Sequence, residues 1–202
     1  MVLNLVAAAF WPWAGLLLLP LTVWCVAFFR DPERRTPQGA GLAICPADGR
    51  LLPIAEAVPP GELGLGPKPL TRLSIFMDIF NVHVNRIPAD SVVTALAYRP
   101  GKFFNASFDK ASVDNERMAV RLTIDGTGEP KRDLVLVQIA GLVARRIRCD
   151  LKEGQRVCRG DRFGIIRFGS RVDVYLPDGA RVRVRAGQTV KAGETVLADF
   201  PR

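Results

Sequence analysis

The stretch EGQRVCRGDRFG, residues 153–164, returns as AGQTVKAGETVL, residues 186–197, and that return sets the expected fold. Gly154, Gln155, Val157 and Gly160 recur as Gly187, Gln188, Val190 and Gly193, an offset of 33 residues. Each copy reads as strand, V-x-x-G turn, strand, because glycine suits the turn and β-branched residues suit the pleated surface on either side. Between the copies lies IIRFGSRVDVYLP, residues 165–177, which reads as one long strand with Gly169-Ser170 in its middle. Glycine inside a strand weakens it, and marks a bulge, a bend or a close approach to the backbone.

Serine after that glycine has a chemistry of its own. Its hydroxyl can attack the carbonyl of the preceding residue, and a glycine there removes the Cβ that would crowd the approach. The amide becomes an ester; elimination at the serine α-carbon and hydrolysis then leave a pyruvoyl group at a new N-terminus. The dipeptide alone is common in ordinary turns.

Paired hairpins of this kind resemble the barrel-sandwich architecture of biotinyl and lipoyl carriers. A carrier needs a modifiable lysine at a hairpin tip; Lys191 stands near one, without the flanking Met or Asp such carriers have. Outward from the repeat, LSIFMDIFNVHVNRIP (73–88), AVRLTI (119–124), DLVLVQIAGLVARRI (133–147) and RVRVRA (181–186) read as strands, and GELGLGPKP (61–69) as a loop. No segment from residue 30 onward keeps a helical period, so the expected class is mostly β: a barrel-sandwich-like domain over 31–202.

Residues 1–30 differ in kind. Val2 to Phe29 carry no charge, a run long enough for the roughly 20 apolar residues that cross a bilayer. Pro12 and Pro20 predict either a kinked span or a re-entrant helical pair, and Trp11, Trp13 and Trp24 suit interfacial anchoring. A cleaved signal peptide is the alternative; the missing positive n-region and the length of the run count against it. The charges that follow, Arg30, Asp31, Glu33, Arg34 and Arg35, are basic in excess and predict a domain on the cytoplasmic face of the cell membrane.

Composition narrows the function classes. A 202-residue chain that is 49% hydrophobic builds a real core, and a net charge of +8 implies an acidic partner, nucleic acid or an anionic membrane surface. No zinc-finger spacing and no RNP-type strand is present, so nucleic acid is not expected. Cys25, Cys45, Cys149 and Cys158 form no CxxC pair and read as reduced, mostly buried thiols, with a Cys149–Cys158 disulfide as the alternative. No metal site is assigned.

The residues around Gly169-Ser170 extend the argument. FFRDPERRTP (28–37), PADGRL (46–51), FMDIFNVHVNRIPAD (76–90), GKFFNASFDKASVDNER (101–117), LVARRIRCDLKEGQRVCRGDRFGIIRFGSRVDVYLP (142–177) and GQTVKAGETVLA (187–198) together resemble the short bacterial and archaeal class of the phosphatidylserine decarboxylase family. The resemblance covers essentially the whole chain. It implies a proenzyme that cuts itself between Gly169 and Ser170 into a β chain (1–169) and an α chain (170–202), held as a heterodimer or a higher oligomer. It implies a pyruvoyl cofactor made from Ser170, which takes the amine of phosphatidylserine as a Schiff base and releases carbon dioxide and phosphatidylethanolamine.

The same resemblance assigns proton carriers and ligands. His83, the single histidine, falls on the first histidine of the H-x-x-H-x-P stretch found in the longer bacterial enzymes, and imidazole both donates and accepts protons near neutrality. The second histidine position holds Arg86, which cannot act as a base, so the Asp-His-Ser relay of the longer enzymes is incomplete here. Asp48 matches the relay aspartate, and reads equally as a turn residue because Asp-Gly favours turns. Asn115, Glu116 and Arg117 form a further family block, with Met118 in place of a usual asparagine. Arg86 and Arg117 suit the lipid phosphate or the serine carboxylate, or a surface ion pair. Three alternatives remain open: an archaeal-type serine lipid as substrate, a pyruvoyl decarboxylase of a soluble amino acid, and a non-enzymatic membrane-anchored β adaptor.

Overall fold

The computed structural model describes residues 2, 11–102, 106, 114–125, 132–141, 146–167 and 169–200. Two compact units make up the chain, Met1–Pro32 and Glu33–Arg202.

The first unit carries helix α1, Pro12–Phe28, with Pro12 in its opening turn and Pro20 inside it. Proline is tolerated in the first turn because that N–H has no intrahelical partner. The helix has 17 residues and no acidic or basic residue in its terminal turns. No helix among the described residues is long and apolar enough to cross a membrane, so the kinked span expected from Val2–Phe29 is not built by α1. Leu17, Val23 and Val26 are exposed on it, while Trp24 and Phe28 meet with ring centroids 5.9 Å apart.

The second unit is β-rich, as its composition predicts. Its strands are β1 Leu42–Ile44, β2 Gly49–Leu51, β3 Ala55–Ala57, β4 Leu70–Met77, β5 Val84–Arg86, β6 Ser91–Arg99, β7 Arg117–Ile124 and β8 Asp133–Ile139, followed by β9 Ile147–Cys149, β10 Arg156–Val157, β11 Arg162–Ile166, β12 Ser170–Tyr175, β13 Arg181–Val182, β14 Thr189–Val190 and β15 Val196–Asp199. A nine-stranded sheet runs β10-β6-β7-β8-β12-β4-β2-β14, with β3 also on β4. Two three-stranded sheets, β1-β15-β13 and β5-β11-β9, complete the unit. The main core gathers apolar side chains from all three, among them Ala43, Phe163, Ile166, Val172, Val174 and Leu197.

Several expected strands break where the chain changes sheets. The run 165–177 is β11 and β12, in different sheets, and Gly169 lies at the crossing. The run 73–88 is β4 and β5, parted by a turn in which Asp78 Oδ1 accepts the N–H groups of Phe80 and Asn81. This aspartate turn needs neither Gly nor Pro, so no turn dipeptide marks it. RVRVRA supplies a strand only at 181–182. The stretch 61–69 is more than a loop: Gly61–Leu63 forms a 3-10 turn, and Leu63 is buried against Val135, Val137 and Tyr175.

The repeat is real, but its copies are not hairpins. β10 pairs with β6 while β11 pairs with β5 and β9; β14 pairs with β2 while β15 pairs with β1 and β13. Each V-x-x-G turn is a corner between two sheets, and no sheet among the described residues closes into a barrel. Each copy also has a companion, 42–51 for 186–199 and 84–93 for 153–166, and the companions share only Pro-Ala-Asp at 46–48 and 88–90. Matched bonds tie the sets together: Leu51 N–H donates to Gln188 O as Val93 N–H does to Gln155 O, each at 2.9 Å. The two sets cross at their centres, where Ile44 N–H donates to Pro88 O and Arg86 N–H to Pro46 O. The cysteines are all free, but only Cys45 is buried; Cys149 is half-buried and Cys25 and Cys158 are exposed.

Candidate active site

Two crossings between the same pair of sheets run side by side. One leads from the end of β11 at Ile166 to the start of β12 at Ser170; the other is 78–83, leading from β4 to β5. Register fixes their neighbourhood, because Ser170 sits opposite Met77 at one end and Ile165 opposite Val84 at the other. His83 and the Gly169-Ser170 bond therefore lie in adjoining crossings. Both His83 and Ser170 are fully buried.

Alternation along β12 points Ser170, Val172 and Val174 into the main core, and Arg171, Asp173 and Tyr175 to the other face. Ser170 Oγ is buried with no hydrogen-bond partner among the described residues. A buried hydroxyl without a partner costs roughly 1–3 kcal/mol, which is why native structures hold few of them. Below it, Gln138 Nε2 donates to Asn85 Oδ1 at 2.8 Å, and Asn85 Nδ2 approaches Met77 Sδ at 3.8 Å.

The Gly169 carbonyl is confined on its other side. Gly169 has φ of +61°, a left-handed conformation that costs an ordinary residue about 1–2 kcal/mol. β8 pairs with β12 up to Ile139 opposite Arg171, which brings Gly141 alongside Gly169. A Cβ on Gly141 would stand 1.6 Å from Gly169 O, so only glycine fits there. The end of β8 is itself tied down, since Asn115 Nδ2 donates to Ala140 O at 2.7 Å and Ala140 N–H donates to Glu116 O at 3.0 Å.

His83 Nδ1 lies 3.0 Å from Asn81 O. A carbonyl only accepts, so this contact assigns the proton to Nδ1 and makes Nε2 the basic nitrogen of the neutral ring. The thiols offer no rival nucleophile here. Burial pushes the Cys45 thiol up to about 12, and burial also raises that of Cys149 on β9.

The other expected site residues are placed elsewhere. Asp48 Oδ2 accepts from Arg34 Nη2 and Oδ1 from Ala192 N–H, both at 2.7 Å, so both oxygens are engaged at the turn. Arg86 Nη1 donates to Gly160 O at 3.1 Å. Arg117 lies in the same cross-strand row as Ile139 and Arg171, on the face opposite Ser170, where it pairs with Glu62 at 2.7 Å. Of the expected residues, then, the fold sets Gly169 and Ser170 at one crossing and His83 in the adjoining one, and it adds Gly141, Asn85 and Gln138 beside Ser170. The expected stretches 103–105, 107–113 and 142–145 lie outside the described residues.

With this geometry in hand, comparison with known proteins gives one consistent result. Residues 21–198 match the family model for phosphatidylserine decarboxylase. The phosphatidylserine decarboxylase proenzyme of Cereibacter sphaeroides is 60% identical over 190 residues, covering 93% of this chain and 78% of that protein. Those of Paramagnetospirillum magneticum and Ruegeria pomeroyi are 58% and 56% identical, covering 93% and 94% of this chain and 75% and 85% of theirs. The chain belongs to the phosphatidylserine decarboxylase family of enzymes.

Proposed function

We propose that this chain is the precursor of a pyruvoyl-dependent phosphatidylserine decarboxylase that cuts itself between Gly169 and Ser170. One observation carries the reading: a fully buried serine hydroxyl without a partner among the described residues directly follows a left-handed glycine whose carbonyl is pressed against Gly141.

Ser170 Oγ attacks the Gly169 carbonyl carbon; the C–N bond breaks, the Oγ proton passes to the freed nitrogen, and an ester joins the two halves. Loss of the Ser170 α-proton then expels the Gly169 carboxylate, and water replaces the nitrogen, which leaves as ammonia. The ketone so formed supplies an electron sink for a bound amine, through which the adjacent carboxylate is lost as carbon dioxide. The residues present fit that group. Ser170 has apolar Met77 opposite it and small Ala140 and Gly141 on its β8 side, so the space holds an uncharged two-carbon unit without stranding a charge. His83 supplies the proton at the substrate α-carbon from the adjoining crossing.

The relatives' names favour phosphatidylserine over a soluble amino acid. We place the enzyme at a membrane through the uncharged Val2–Phe29 run, which serves as an anchor.

Denaturing mass spectrometry tests the cleavage. Active preparations should show two chains, 1–169 and 170–202, in place of 22.1 kDa, and Ser170→Ala should stay whole. An active preparation containing only the intact chain would overturn the proposal.

A further inference from the structure

The β5-β11-β9 sheet brings three chain segments to one end, and that end adjoins Ser170. β5 and β9 start there and β11 finishes there, because both pair antiparallel with β11. The turn before β5 exposes Ile79 and Phe80, which are 41% and 68% exposed. Asp78 Oδ1, accepting from Phe80 and Asn81, and Asn81 Oδ1, accepting from Asp78, hold this turn in shape. A rigid turn presenting two large apolar side chains to water costs solubility unless something apolar covers them.

Beside it lies a cationic hollow. Arg146 and Arg148 alternate along the start of β9, Arg167 follows β11 opposite Arg146, and the three arginines line one hollow with Ile147 and Cys149. All three are exposed. Asp150 offsets Arg148 at 2.8 Å, while Arg146 and Arg167 have no ion pair among the described residues. Guanidinium forks match phosphate oxygens, and a cation near an anionic bilayer gains about 1 kcal/mol, fivefold in binding.

We propose that this end of the β domain seats on an anionic bilayer, with Ile79 and Phe80 entering the interface and Arg146, Arg148 and Arg167 meeting lipid phosphates. The contact is separate from residues 1–30. It rests on the decarboxylase reading only for its purpose, since it would open the Ser170 end toward lipid headgroups that never leave the membrane. The combination of signs chooses the occupant: apolar side chains flanked by cations fit a negatively charged lipid surface, whereas a second copy of this basic chain would bring like charges together.

Two measurements on the full chain test it. Amide hydrogen exchange on vesicles of phosphatidylcholine, with and without phosphatidylglycerol, should show 77–84 and 146–149 protected only on the anionic vesicles, less so at high salt. Exchange unchanged by anionic lipid would overturn the proposal, as would protection that grows with protein concentration without lipid, the mark of a second copy. In the second measurement, Arg146→Gln with Arg167→Gln should raise KM for phosphatidylserine in vesicles about 25-fold, fivefold per arginine. Ile79→Ser with Phe80→Ser should act the same way, and neither pair should alter KM or kcat for a short-chain, water-soluble phosphatidylserine. An equal loss on both substrates would overturn docking and make the arginines direct headgroup ligands. A wild-type protein that decarboxylates neither substrate would defeat the decarboxylase reading, while the exchange experiment would still decide docking.

Discussion

Residues 42–51 with 186–199, and 84–93 with 153–166, build the same corner twice. In the first, Asp48 Oδ1 accepts from Ala192 N–H at 2.7 Å; in the second, Asp90 Oδ1 accepts from Arg159 N–H at 2.8 Å. Gly193 N–H donates to Cys45 O as Gly160 N–H does to Ile87 O, each at 2.8 Å. The corners differ in what leaves them. β15 runs to Phe200 beside Gly41, whose carbonyl accepts Phe200 N–H. β11 runs to Gly169 and Ser170, and the position matching Gly41 is His83. A residue present in both corners holds the corner; a residue present in only one is free to serve chemistry. By that criterion Asp48 is a pin, as Asp90 is, and the proposed chemistry is left to His83, Gly169 and Ser170.

Among residues that supply no reacting atom, the largest effect on self-cleavage is expected at Gly141, which has no role in either corner. Gly141→Ala drives a methyl into the Gly169 carbonyl, 1.6 Å from its oxygen, and one of the two must move. A displacement near 1 Å at a reacting centre costs about 10²-fold, so self-cleavage should slow by that factor. Precursor and product bands followed over time would show it. Cleavage at the wild-type rate would mean that the carbonyl is not held where it reacts.

His83→Ala comes next. Turnover by whatever protein is cleaved should fall about 10²–10⁴-fold, the usual worth of a positioned acid-base group. Self-cleavage should also slow, because His83 stands in the crossing that adjoins Gly169-Ser170 and its Nε2 is the basic nitrogen of the ring. Normal cleavage with lost turnover would confine His83 to decarboxylation; normal values for both would return the site to carboxylates and break the comparison.

How much of this was legible in the sequence follows from the range of each interaction. The Gly169-Ser170 pair, the β-rich class and the strand-turn-strand units at 153–164 and 186–197 are local patterns, and the fold keeps them. Strand partners are not local, which is why the units read as hairpins although their arms join different sheets. The companions at 42–51 and 84–93 share three identical residues, too few to stand out before the backbone bonds pair them. Gly141 acquires meaning only from the register that sets Ile139 against Arg171. Arg117 reads as a phosphate ligand by type, but strand alternation turns it to the face away from Ser170.

A matched pair, Asp48→Ala and Asp90→Ala in a Ser170→Ala background, sharpens the criterion directly. Each loses one pin to a backbone N–H, worth about 1–2 kcal/mol by chemical denaturation. Asp48→Ala should cost more, because Arg34, with 8% of its side chain exposed, loses its carboxylate as well. Asp48→Asn keeps the acceptor for Ala192 N–H and should recover part of the loss. With Ser170 restored, both alanine variants should cleave themselves at matched rates. If Asp48→Ala alone stops cleavage at equal stability, Asp48 belongs to the site and likeness between the corners does not separate structure from chemistry.

The smallest effect is expected outside both corners, where Glu62 ties the 3-10 turn to Arg117 on the sheet face opposite Ser170. Its carboxyl is held below the usual range, first by its own backbone N–H and then by the Arg117 guanidinium. A depressed carboxylate stabilises the fold fully above its unfolded value, about 4.3, and that contribution is lost as pH falls through the lower folded value. At neutral pH the tether is therefore complete, and Glu62→Gln should reproduce there what acid does to the wild type. With 37% of its side chain exposed, Glu62 is screened by solvent, so the loss should stay below about 1 kcal/mol. Amide exchange over 59–66 should quicken as Leu63 lifts from Val135 and Val137, while cleavage and turnover hold at wild-type values. A fall in turnover would show that the face carrying Arg117 reaches the chemistry through Arg171, the residue that shares its row and directly follows Ser170.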